Sequence, residues 1–220
     1  MDVNFLSDTM LFSGMTDAEL SNCLSFLSAQ EKTFKKDALI LHAGNTTKRM
    51  GLVLSGSVTI ESNDVWGNRT ILSHVGCGQV FAETYALLPG EVLLVDVRAN
   101  ENCQILFLRI GSIPEIGTDL PVWGIKLIRN ILTISAHKNL TLSGRSFHTA
   151  PKTARGRILA YLNTVSLQTH SREFDIPFDR EQLADYLNLE RTNMSKELTK
   201  MKEEGLIACR KNHFVLLGKA

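Results

Sequence analysis

Apolar positions along this chain change their period several times, and each change predicts a different kind of element. Over residues 17–27 they recur at helical spacing behind Thr16, a residue suited to cap a first turn. From about 32 to 110 the pattern becomes a series of short strands punctuated by Gly and Asn, at 50–54, 57–61, 70–75, 93–98 and 104–108. Val65-Trp66-Gly67-Asn68 reads as a hairpin tip, and strands of this length and spacing predict an antiparallel roll or barrel. Helical spacing returns over 120–148.

That last segment carries two stripes. One is Ile125, Ile128, Leu132, Ser135, Asn139 and Leu142; the other is Leu127, Ile131, Ile134 and Lys138. A surface helix needs only one apolar stripe. With two, one covers the roll of its own subunit and the other meets a second copy in a coiled-coil-like seam. Thr149-Ala150-Pro151 then ends or bends the helix, since proline disfavours helical geometry in the residue before it, and the expected hinge lies there.

Residues 178–207 predict two helices meeting at a tight turn. Asp179 with Gln182 forms a capping box ahead of Leu183, Ala184 and Leu187. Asn188 suits a left-handed exit from the first helix, and Leu189 fills the space between the two. Glu190 begins a second amphipathic run with Met194, Leu198 and Met201 inward. Arg191, Thr192, Ser195 and Lys196 fall on the opposite face near its start, where side chains reach base edges and phosphates in a DNA major groove. Two further apolar runs, 206–209 and 213–217, flank Arg210-Lys211-Asn212 and predict a hairpin with a basic tip, the wing of a winged helix.

Composition leaves this picture standing. The 220 residues are 44% hydrophobic, enough for two domains with real cores. No apolar run reaches the roughly 18 residues of a membrane span, and the start of the chain lacks a signal peptide's basic region, so the expected location is the cytoplasm. Net charge is +1, but from Ala150 onward 12 Lys+Arg face 9 Asp+Glu, giving +3, and the remainder has 12 against 14, giving −2. The excess lies where phosphate contacts are expected. Cys23, Cys77, Cys103 and Cys209 are scattered without a CxxC pair, which speaks against a metal site and for reduced thiols; Cys77, between Gly76 and Gly78, is the candidate for redox chemistry.

The order of elements and four local strings resemble the CRP/FNR family of bacterial transcription regulators over nearly the whole chain. The strings are Gly56-Ser57-Val58, Gly78-Gln79-Val80-Phe81-Ala82-Glu83, Gly156-Arg157-Ile158-Leu159 and Glu190-Arg191-Thr192-Asn193-Met194-Ser195. The resemblance implies an α+β fold: an N-terminal antiparallel β-roll of the cyclic-nucleotide-binding type over 1–118, a dimerisation helix over 119–148 and a winged helix-turn-helix over 149–220. It implies a homodimer that senses a small molecule in the roll and binds a near-palindromic double-stranded DNA site, with RNA polymerase as a further partner.

Departures from the family pattern shape the effector expectation. Its cyclic-AMP-binding members carry Gly-Glu-Leu and, after a short helix and loop, Arg-Ser, whose arginine neutralises the cyclic phosphate. Here the matches are Ala82-Glu83-Thr84 and Leu93-Leu94, and the Thr-Ser pair of the long helix is Leu142-Ser143. An uncompensated buried phosphate charge costs several kcal/mol, so an apolar or aromatic effector suits these residues better than cyclic AMP. Glu83, Thr84, Tyr85, Leu93 and Leu94 are the expected pocket residues, closed by Leu142 and Ser143.

The iron-sulfur members' N-terminal cysteines are missing, since the first 30 residues hold only Cys23. A haem- or thiol-based gas or redox sensor of the same architecture is the alternative reading, with His42, His74 and Cys77 as its candidates. Members that read G-rich half-sites place Arg, Glu and Arg along one helix face; here Arg191, Thr192 and Lys196 stand at those positions. Arg191 is expected to hold a guanine, Thr192 a thymine methyl or a phosphate, Lys196 a phosphate or second guanine, and Asn193 and Ser195 phosphates. A cupin-like enzyme would need two or three convergent His with a carboxylate, and no His-x-His pair occurs. No residue is assigned a catalytic role, and no resident metal or cofactor is expected.

Overall fold

The computed structural model describes residues 2–63, 69–88, 90–116 and 120–217, and the expected hairpin tip at 65–68 lies outside them. The chain packs as two compact units, Met1–Ala136 and His137–Ala220.

The first unit opens with helix α1 (Val3–Asp8), a 3-10 turn (Met10–Phe12) and helix α2 (Asp17–Phe26). Thr16 caps α2 as the pattern predicts: its hydroxyl accepts from the Glu19 amide at 3.3 Å, and the Glu19 carboxylate accepts from the Thr16 amide at 2.8 Å. Eight strands follow: β1 (Gln30–Phe34), β2 (Leu39–Leu41), β3 (Met50–Ser55), β4 (Val58–Asn63), β5 (Arg69–Val75), β6 (Val80–Phe81), β7 (Asp96–Ala99) and β8 (Cys103–Leu108). Helix α3 (Glu83–Leu87) interrupts them. They form two four-stranded sheets ordered β1-β8-β3-β6 and β2-β7-β4-β5, antiparallel throughout.

One core fills the space between the sheets, with Val53, Val58, Phe81, Val97, Ile105 and Phe107 among its members. The other face of the first sheet is covered too. Met50, Leu52, Leu106 and Leu108 join Leu11, Phe12 and Leu20, together with Trp123, Leu127, Ile131 and Ile134 from helix α4 (Val122–Thr149). Burial on both faces is why 105–108 reads as an unbroken apolar run. Gly51 is a packing requirement: a Cβ there would sit 2.2 Å from the Phe81 ring. Gly56 combines φ +74° with a Cβ position 2.8 Å from the Asn102 carbonyl, so the turn between β3 and β4 requires glycine.

Asn130 fixes α4 to the N-terminal segment. Its buried amide donates to the Leu11 carbonyl at 3.0 Å and the Ser13 carbonyl at 2.9 Å. Asn130→Ala is expected to lower stability by about 1–3 kcal/mol, because it strips a buried donor from two carbonyls. Urea denaturation measures this, and an unchanged midpoint would remove Asn130 from the account.

The expected strand at 93–98 needs correction. Regular pairing starts only at Asp96; before it, the Gly44 amide donates to the Leu93 carbonyl at 2.7 Å and the Leu93 amide to the Asn45 carbonyl at 2.8 Å. These bonds tie Leu93 to a turn, so Leu93 and Leu94 do not lie on a sheet strand.

The second unit contains the last turns of α4, then α5 (Ala154–Thr169), β9 (Glu173–Asp175), α6 (Arg180–Tyr186), α7 (Arg191–Glu203), β10 (Ile207–Arg210) and β11 (His213–Leu216). Its core gathers Ile158, Leu162, Leu183, Met194, Leu198 and Phe214, among others. Among the described residues no helix is long and apolar enough to cross a membrane.

Candidate nucleic-acid interface and sensor roll

Helices α6 and α7 form the predicted pair. Asp179 Oδ1 accepts from the Glu181 and Gln182 amides at 2.9 and 2.8 Å, and Gln182 Oε1 accepts from the Asp179 amide at 2.9 Å, closing the capping box. Asn188 takes φ +51°, and Leu189 packs half-buried on the core of the unit. In α7, Met194, Leu198 and Met201 are buried, while Arg191, Thr192, Asn193, Ser195 and Lys196 are all exposed. The structure thus brings the five expected DNA-contacting residues onto one open surface.

That surface is held from behind. The Arg155 guanidinium on α5 donates to Glu197 at 2.6 Å and to both oxygens of Glu204 at 2.7 and 2.8 Å, gripping α7 near its middle and its end. The fork keeps the Glu204 carboxyl below its ordinary range and raises the arginine further. Arg157 donates from Nη1 to the Leu187 and Asn188 carbonyls at 3.1 and 2.8 Å, and from Nε to the Pro151 carbonyl at 2.9 Å. The Gly156-Arg157 string therefore anchors the turn of the motif.

A second grip comes from α4. Arg145 donates to the Tyr186 and Asp185 carbonyls at 3.3 and 3.4 Å and lies over the Tyr186 ring at 5.7 Å. His148, 4% exposed, bonds the Tyr186 hydroxyl and the Thr164 hydroxyl, both at 2.9 Å. These partners are hydroxyls and carbonyls far away in sequence, and no local spacing announces them.

Burial holds the His148 imidazole below the ordinary histidine pKa. The folded pKa lies beneath the unfolded value of about 6.5, so the neutral ring's contribution is complete above that pH and lost as pH falls through the folded value. The thermal midpoint of the chain should drop as pH falls below about 6.5, and less so in His148→Gln. Equal slopes for the two proteins would reject this role.

The wing is a three-stranded sheet ordered β10-β11-β9. Arg210 pairs with His213 across the two-residue turn Lys211-Asn212, with Lys211 at φ +55°. Strand β9, absent from the sequence expectation, pairs Phe174 with Phe214 and Asp175 with His213.

In the roll the expected effector residues separate. Glu83 is buried, Thr84 exposed and Tyr85 half-buried. The Tyr85 hydroxyl accepts from the Leu94 amide at 3.4 Å. Leu94 is 72% exposed, whereas Leu93 is 2% exposed and lines a hollow of about 230 Å³ with Leu39, Leu41, His42, Asn45 and Thr47. Leu142 and Ser143 lie on the part of α4 that belongs to the second unit; Leu142 is exposed and Ser143 half-exposed.

The second sheet also carries polar side chains that the sequence reading missed. Arg98 Nε donates to buried Glu61 at 3.0 Å, and buried Asp96 accepts from the Ala43 amide at 2.7 Å and sits 2.8 Å from His42 Nδ1. On β4 their signal is alternation: Thr59 and Glu61 each follow a core-packed neighbour, Val58 and Ile60.

Of the haem and thiol candidates, His42 faces Asp96, His74 Nδ1 lies 3.1 Å from the Thr59 hydroxyl, and exposed Cys77 donates to the Leu54 carbonyl at 3.1 Å. Burial pushes the Cys23 thiol up to about 12.

The two stripes of α4 differ in burial. Leu127, Ile131 and Ile134 are covered by the roll, while Ile125, Ile128, Leu132 and Leu142 are exposed. Leu140 and Phe147, 70% and 73% exposed, extend the open line and were missing from the expected stripe.

Residues 31–116 match the cyclic nucleotide-binding domain family, and residues 156–219 match the Crp-like helix-turn-helix domain family. The chain is 27% identical over 198 residues to the nitrogen fixation regulation protein FixK of Azorhizobium caulinodans, covering 84% of this chain and 73% of that protein. It is 23% identical over 184 residues to the cAMP-activated global transcriptional regulator CRP of Haemophilus influenzae, covering 81% and 80%. The c-di-GMP responsive regulator CLP of Xanthomonas campestris shares the fold, with a TM-score of 0.58 at 18% identity over 93% of this chain and all of that one.

Proposed function

Since the chain belongs to the CRP/FNR family of transcription regulators, we propose that it acts as a cytoplasmic homodimer whose roll couples a small-molecule effector other than cyclic AMP to sequence-specific DNA binding. It is a DNA-binding regulator with a cyclic-nucleotide-binding-like sensor domain, and its relatives are regulators rather than enzymes. The observation that carries the finer reading is the burial split of α4: one stripe is used up by the roll and a second apolar line stays open for another copy. In this division of labour residues 1–118 sense, 119–148 dimerise and transmit, and 149–220 read.

The effector reading rests on the two leucines in place of Arg-Ser. Neither side chain offers a donor or a charge to a phosphate, whereas the exposed Arg191, Asn193, Ser195 and Lys196 of α7 do offer them to DNA. An effector that favours one dimer arrangement by about 1–3 kcal/mol shifts the population toward the state whose reading helices lie about 34 Å apart. RNA polymerase is the expected partner once the dimer is on DNA.

Genomic fragments bound by the full chain, selected with cyclic AMP in one arm and small apolar or aromatic molecules in others, test this reading. An apolar molecule should strengthen or weaken binding about 5- to 150-fold while cyclic AMP leaves it unchanged. A cyclic AMP response of that size would overturn the effector assignment.

A further inference from the structure

The two helices of the DNA-reading motif begin differently. Asp179 turns its carboxylate onto the amides of its own first turn, as an N-cap residue does. Glu190, at the equivalent point of α7, makes no side-chain cap bond, although its backbone has the extended geometry of a cap. Its carboxylate is instead bonded by the Thr192 hydroxyl at 2.5 Å, the short end of the range for a hydroxyl donating to an ionised carboxylate. Both residues are exposed, and among the described residues no cation lies within ion-pair distance of Glu190.

This bond changes what the surface offers. The Thr192 hydroxyl proton is committed to Glu190, so it is withheld from a phosphate oxygen. What remains outward is acceptor-only: the free lone pairs of the Glu190 carboxylate and of the Thr192 oxygen, beside the Thr192 methyl. A bare carboxylate at this place works against general DNA affinity, because phosphates repel it. It gains a partner only where a base edge supplies hydrogens. In the major groove the cytosine N4 amino group is a donor flanked by an acceptor on one side only, the guanine O6 of its pair, whereas the adenine amino group lies between two acceptors, its own N7 and the thymine O4, which the carboxylate would repel.

We propose that Glu190, held in place by Thr192, is a specificity-determining residue that accepts from a cytosine amino group, at a base pair distinct from the guanine held by Arg191. The proposal rests on the DNA-reading function above and deepens it: one carboxylate both selects a C·G pair and penalises non-cognate duplex.

Selection from a randomised duplex by the full-length protein, compared with E190Q, E190A and T192V, tests it. Wild type should prefer cytosine about tenfold at one position of each half-site. E190Q and E190A should lose that preference at that position alone, keep the guanine preference, and bind random duplex more tightly. T192V should weaken the same preference, since the carboxylate is no longer held. The side chain is exposed and makes no cap bond, so the variants should keep the wild-type thermal midpoint. Selected sequences identical in strength at every position for wild type and E190Q would overturn the assignment while leaving DNA reading intact. A wild type without preference at any position would overturn both.

Discussion

Lysine at both Ile128 and Leu132 is expected to turn a dimer into a monomer and to cut affinity for a two-half-site operator by about 100-fold or more. Both side chains are open in the single chain, at 38% and 68% exposure, so the change leaves its own core intact. Leu127, Ile131 and Ile134, which pack α4 on the roll, are untouched. Each ammonium would have to be desolvated in the seam without a partner. The affinity loss follows from geometry: a dimer's second head meets its half-site at high effective concentration, and a monomer's does not. Sedimentation reads the mass. An unchanged mass would move the interface to other exposed apolar positions of the helix, Leu140 and Phe147 among them.

Arg191→Ala is expected to weaken binding to the cognate site by about 1–3 kcal/mol and to leave random duplex almost unaffected, because a guanidinium forked onto guanine O6 and N7 carries sequence information. The side chain is exposed at the first position of α7, so its loss leaves the fold in place. Lys196→Ala should behave differently if its partner is a phosphate, weakening both duplexes and lowering the salt slope by about 1. Parallel salt titrations of the two variants separate base reading from phosphate contact. Wild-type binding of the operator by Arg191→Ala would remove that residue from the readout.

Much of the DNA-reading motif was legible because its determinants are local. The pair Asp179–Gln182 closes a capping box within three residues, and Asn188 takes the left-handed turn that its type suggests. The exposed and buried faces of α7 follow from period alone. What stayed hidden depends on partners distant in sequence. Strand β9 is three residues long and exists because β11 pairs with it. Leu93 leaves strand geometry because the turn at 44–45 claims its backbone bonds. Arg145, Arg157 and Asn130 all donate to carbonyl oxygens, which every residue has, so no spacing marks the recipient.

The roll was legible as a fold and less so as a site. Apolar runs and glycines announce antiparallel strands, but which residues share a cavity depends on how the sheets close. Thus Leu93 and Leu94, neighbours in sequence, end on opposite sides of the surface, one buried and one open.

The central claim is that the second unit reads a DNA sequence rather than duplex in general. Affinity of the full chain for its best selected operator and for a scrambled duplex of the same composition, followed over rising salt, tests it most directly. The account predicts that scrambled duplex is released first and that a gap of at least about 1,000-fold persists at physiological salt. Two curves that coincide at every salt concentration, with and without the tested small molecules, would contradict it.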